Sequence, residues 1–80
     1  MRWKVISKYR AVIDAIGDGI ATATLRETDG EPVSIIDVHK REFKRNNIKF
    51  RIGIAFNVFV LKSGYRKRVI LKPVSSHNLE

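Results

Sequence analysis

Apolar and polar residues alternate with a period of two along most of this chain, and glycine-bearing turns cut the alternation at close intervals. Lys8 to Ile16 is rich in β-branched and aromatic side chains and breaks at Gly17-Asp18-Gly19. Asp-Gly is a hairpin signal, because glycine takes a positive φ without steric cost. Ile20 to Glu27 sets Ala21, Ala23 and Leu25 against Thr22, Thr24 and Arg26, giving one apolar face and one wet face. Thr28-Asp29-Gly30-Glu31 predicts a second turn, and Pro32 to Ile36 a short third strand. Pro at a strand start is tolerated because its ring removes a single ladder donor.

The alternation lapses from Asp37 to Asn47. A turn of α- or 3₁₀-helix within a connecting loop fits there, capped by Asp37 and ended by Asn46-Asn47, with Val38 and Phe43 as its apolar side. Ile48 to Leu61 then predicts the longest strand. Ile54, Phe56, Val58 and Val60 share one face, and Asn57 on the other marks the Phe56 side as core. Gly53 predicts a bulge or sharp bend. Lys62-Ser63-Gly64-Tyr65 is a third turn, and Arg66 to Lys72 a last strand with Val69 and Leu71 inward and Pro73 ending it. Five short strands with one longer link predict an all-β fold: a small five-stranded OB-like or SH3-like barrel with a short helical turn between strands 3 and 4. Residues 1–74 form this single domain. Residues 75–80 are a polar tail, in which Leu79 and Glu80 read as a cloning remnant.

The phrase Phe43-x4-Ile48-x4-Gly53-x2-Phe56, after a meander with Asp18-Gly19 and Ala23-x-Leu25, resembles small bacterial β-barrel proteins of unknown function. More loosely it resembles the SH3-like and OB-like barrels of translation and RNA-binding proteins. That resemblance implies binding of nucleic acid or of protein, and a shared fold does not choose between them.

Charge changes the picture more than length does. Eighty residues carry sixteen Lys and Arg against eight Asp and Glu, a net charge of +8. Residues 1–38 sum to −1 (five basic, six acidic) and residues 39–80 to +9 (eleven basic, two acidic). Two clusters stand out: Lys40, Arg41, Lys44 and Arg45 in the link, and Arg66, Lys67 and Arg68 opening the last strand. Lys49 and Arg51 are expected on one strand face, with Phe50, Phe59 and Tyr65 among the charges. Cations attract a polyanion and rings stack on unpaired bases, so the pattern points to RNA or single-stranded nucleic acid. The same charges also read as a solvated surface, or as strand-edge cations that block aggregation. An acidic protein partner or self-association through a strand edge is the alternative reading.

Other chemistry is sparse. The chain has no cysteine, which excludes disulfides, thiol catalysis and Cys-ligated metals. Its longest apolar run, residues 52–61, is half the roughly 20 residues of a membrane helix, and no signal-peptide layout precedes it. No membrane role is expected, and a cytoplasmic setting is. His39 and Glu42, three apart beside Lys40 and Arg41, are similar in type to the residues of a small-barrel ribonuclease toxin, the remote alternative, but they lack a second acid–base partner. His77 falls in the tail, and two distant histidines give no metal-ligand spacing. The expectation is a non-catalytic binding module without cofactor or metal. Trp3, ahead of the first strand, reads as a ring closing the barrel rather than a ligand platform.

Overall fold

The computed structural model describes residues 2–27 and 30–74. The Thr28-Asp29 pair and the 75–80 tail, with His77, Leu79 and Glu80, lie outside the described residues. Five strands, β1 (Lys4–Gly17), β2 (Ile20–Arg26), β3 (Pro32–His39), β4 (Ala55–Ser63) and β5 (Arg66–Pro73), form one antiparallel sheet in the order β3-β2-β1-β4-β5. One short helix, α1 (Lys40–Arg45), joins β3 to β4. A β1-β2-β3 meander followed by a β4-β5 hairpin on the other side of β1 is OB-like connectivity. β3 and β5 end the strand order, and no ladder joins them among the described residues.

The longest strand is β1, not the 48–61 segment. β1 holds its length because its middle is paired on both sides, Arg10–Val12 bonding to β2 and to β4. It bends at two irregularities, between Ile13 and Ala15 against β2 and between Val5 and Ser7 against β4. β4 begins only at Ala55. Before it, Arg51–Gly53 turn, with Gly53 at φ +92°, and Gly53 and Ile54 exchange backbone hydrogen bonds with Ile13. Gly53 therefore makes the sharp turn that docks the link onto β1.

The first and last hairpins follow their turn residues. Asp18 and Gly19 both have positive φ, the type I′ pattern, while at Gly64-Tyr65 only the glycine does, the type II′ pattern. β3 runs three residues past Ile36, and Asp37 lies within it, accepting from Thr22 Oγ1 at 2.9 Å. The helix cap is instead His39, whose Nδ1 accepts the Arg41 backbone N–H at 3.1 Å. Asn46 is the C-cap and Asn47 follows at φ +64°, as the Asn-Asn pair suggested.

The core lies on one face of the sheet. Ala11 and Ile13 from β1, Ala21, Ala23 and Leu25 from β2, Phe56 and Val58 from β4 and Leu71 from β5 bury there, covered by Phe43 and Ile48. Phe43 is the hub, with its ring 5.1 Å from Phe56 edge-on and 5.4 Å from Phe50. Val69, expected inward, is 58% exposed, because the sheet there extends beyond what the helix and link cover.

Candidate nucleic-acid interface

Strand alternation and register decide which cations meet. On β4, Phe56 and Val58 face the core, so Asn57, Phe59 and Leu61 face outward. Their partners align three outer rows: Arg10·Asn57·Lys72, Lys8·Phe59·Ile70 and Val5·Leu61·Arg68. Arg10 also faces Arg26, extending the first row across four strands. Contacts run along the rows. Arg10 Nε donates to Asn57 Oδ1 at 3.0 Å, Lys8 Nζ sits 5.6 Å from the Phe59 ring centroid, and the Arg68 guanidinium lies 5.3 Å from that of Trp3. Lys8, Arg10 and Arg26 line one shallow depression with Tyr9, Glu27, Gly30 and Asn57.

The sequence-predicted residues fall into three places. Lys40, Arg41, Lys44 and Arg45 all lie on α1, exposed around buried Phe43. Lys49 and Arg51 do not share a strand face, because they lie in the irregular link before β4, where the turn at Gly53 ends the alternation. Arg66, Lys67 and Arg68 open β5, but alternation splits them. Arg66 and Arg68 share the outer side, while Lys67 is opposite Lys62, and Lys62 is opposite Lys4, on the reverse side. Arg45 and Arg68 line one groove with Glu42, Asn46 and residues 69–71, which brings Arg45 of the helix cluster beside β5.

The aromatics separate as sharply. Tyr65 is fully exposed on the hairpin turn, whereas Phe50 packs against Phe43 with Lys40 Nζ 6.0 Å from its ring. Phe50 is half-buried and packs against the core, and Phe59 is an outer-face residue under Lys8. Lys8, Arg10, Arg26 and Lys72 escaped the sequence reading as candidate site residues, since only the β1–β2, β1–β4 and β4–β5 registers align them, and Trp3 escaped it because its contact with Arg68 is long-range.

One acid, Glu27, shares the depression with Lys8, Arg10 and Arg26. Asp14 accepts from Thr24 and Asp37 from Thr22, on the outer side further along β2. Among the described residues the ion pair formed is Arg45–Glu42, at 3.5 Å. His39 serves as the helix cap and Glu42 pairs with Arg45, so both members of the sequence-suggested acid–base pair have structural partners. No three described His, Asp or Glu side chains cluster to hold a metal ion, and no described helix is long and apolar enough to cross a membrane. No protein-family profile, curated protein or solved structure matches the chain.

Proposed function

We propose that this chain is a non-catalytic module that binds single-stranded nucleic acid, RNA in the first place, across the outer face of β1, β4 and β5. The observation that carries the reading is cross-strand placement of like charge beside aromatic rings. On this outer face Arg10 faces Arg26 directly, and Lys8, Arg68 and Lys72 stand along the same rows. Like charges directly opposite on a sheet are destabilising, and a bound polyanion relieves them. On the outer face the same strands present Phe59 between Lys8 and Ile70, with Trp3 against Arg68. Rings between phosphate-binding cations suit bases that are already unstacked; a duplex hides its base faces and leaves the rings nothing to stack on. Arg66 and Arg68 continue the outer face, Tyr65 lies on the turn at its end, and Arg45 stands beside Arg68 in the β5 groove.

Titrating a labelled single-stranded oligonucleotide against salt tests this. If Lys8, Arg10, Arg26, Arg68 and Lys72 each neutralise one phosphate, log K falls against log salt with a slope of about −3.5. Replacing Arg66, Lys67 and Arg68 together by Ala should weaken binding and flatten that slope while leaving the circular dichroism spectrum intact. No binding at low salt, or equal affinity for duplex of the same length, overturns the reading.

A further inference from the structure

We propose that the depression beside Arg10 and Arg26 is an end site, which takes the phosphomonoester at the end of a single strand lying on the outer face. The inference rests on the nucleic-acid reading above and adds which part of the strand is recognised. Arg10 on β1 and Arg26 on β2 are direct ladder partners, so their side chains leave the sheet on one side, next to each other. Lys8 follows two residues from Arg10 on the same side, and all three line the depression. Its volume of about 200 Å³ is below the roughly 300 Å³ at which pockets for drug-sized ligands begin, so it suits a phosphate rather than a whole nucleotide.

The two guanidinium groups are held by neutral oxygens. Arg10 Nε donates to Asn57 Oδ1 at 3.0 Å, and Arg26 Nη1 donates to the Gly30 backbone carbonyl at 2.8 Å. Each bond steadies its side chain and uses one edge of the fork. Arg10 keeps its Nη1–Nη2 pair and Arg26 its Nε–Nη2 pair, and neither forms an ion pair among the described residues. Bidentate binding of phosphate oxygens uses such steadied, unspent forks.

Charge and position favour a chain end over an internal link. Lys8, Arg10 and Arg26 against Glu27 leave the depression at +2. A phosphodiester carries a single negative charge, whereas a phosphomonoester carries about −1.5 to −2 at pH 7. The sheet also stops there. Arg26 is the last residue of β2, and the Gly30 N–H donates to the Glu27 carbonyl at 2.8 Å while the Glu27 N–H donates to that of Glu31 at 3.1 Å, closing the connection to β3. A strand that follows the row from Lys72 through Asn57 to Arg10 and Arg26 meets this connection with Glu27 and Glu31 on it, and both acids oppose a further phosphate. The Lys8·Phe59 row is one same-side step away, roughly 7 Å, which puts the Phe59 ring within reach of the terminal base.

The test titrates single strands of one sequence at low salt, with hydroxyl ends, a 5′-phosphate or a 3′-phosphate, each phosphate also capped as its methyl ester. At least one phosphorylated end should bind about tenfold or more tightly than the hydroxyl-ended strand, and its methyl ester should lose most of that gain. Arg10→Gln and Arg26→Gln should each cut the ratio of phosphorylated to hydroxyl-ended affinity by about threefold or more, with the thermal midpoint kept because each relieves a like-charge opposition. Arg68→Gln, two rows away, should weaken all strands and leave the ratio as it was. A gain below about tenfold at both ends, a methyl ester that keeps the gain, or a ratio lowered as much by Arg68→Gln as by Arg10→Gln overturns the end site while single-strand binding stands. A phosphoserine peptide that outcompetes the phosphorylated strand assigns the depression to a protein partner and overturns it as well. Failure of every strand to bind overturns both readings together.

Discussion

Tyr65 and Phe59 are the rings of the proposed interface, yet they carry different structural duties. Tyr65 is 104% exposed on the Gly64-Tyr65 turn and packs on nothing. Phe59 is half-buried between Lys8 and Ile70 on the outer face. Removing a stacked aromatic costs about 1–3 kcal/mol per base. Tyr65→Ala should therefore weaken oligonucleotide binding with the thermal midpoint unchanged, while Phe59→Ala should weaken it and lower the midpoint as well. Anisotropy titration beside thermal denaturation separates the two effects. An unchanged affinity for both variants would remove stacking from the account and leave phosphate contacts alone. Sequence identified both rings but could not assign them, because an aromatic beside cations looks the same whether it faces core or solvent.

Helix α1 is one and a half turns long, too short to stand by its own backbone bonds. It holds because Phe43 is fully buried against Phe50 and Phe56, with His39 capping one end and Asn46 the other. Phe43→Ala should cost about 3–5 kcal/mol, the usual range for emptying a large aromatic from a core. Urea denaturation measures that loss, and a cost below about 1 kcal/mol would mean that the core closes over the gap. At this scale the sequence was legible where period and turn chemistry are local. The alanines of β2, the Phe56 face of β4 and the Asp18-Gly19 turn all stand where alternation put them. It was misleading where pairing at a distance decides. Nothing local in Ile48–Ile54 shows that its backbone bonds would go to Ile13, so a link read as strand. Asp37, a good cap by residue type, was drawn into β3 by its bond with Thr22.

Over the whole molecule, charge is segregated by sheet position rather than by sequence half. The arithmetic of −1 before residue 39 and +9 from there on is correct, but β1 crosses the divide: its Lys4, Lys8 and Arg10 pair with β4, and its far end with β2, whose Thr22 and Thr24 hold Asp37 and Asp14. That long-range register is invisible to composition, and it moves the centre of the basic surface from the helix to the sheet. Two double reversals of equal charge distinguish these locations. Lys8→Glu with Lys72→Glu places acids in the row of Phe59 and in the row beside it, whereas Arg41→Glu with Lys44→Glu places them on α1. Both change the net charge by −4, so long-range attraction falls in each. Only the sheet pair also removes contacts with phosphates held beside the stacked bases. Its salt slope should drop by about 1.4, two single-strand contacts at about 0.7 each. The helix pair should slow association and weaken binding moderately with its slope nearly kept. Equal slopes in the two variants would mean that the polyanion is held diffusely by the whole basic surface, and the rows across β1, β4 and β5 would then be scaffold rather than site.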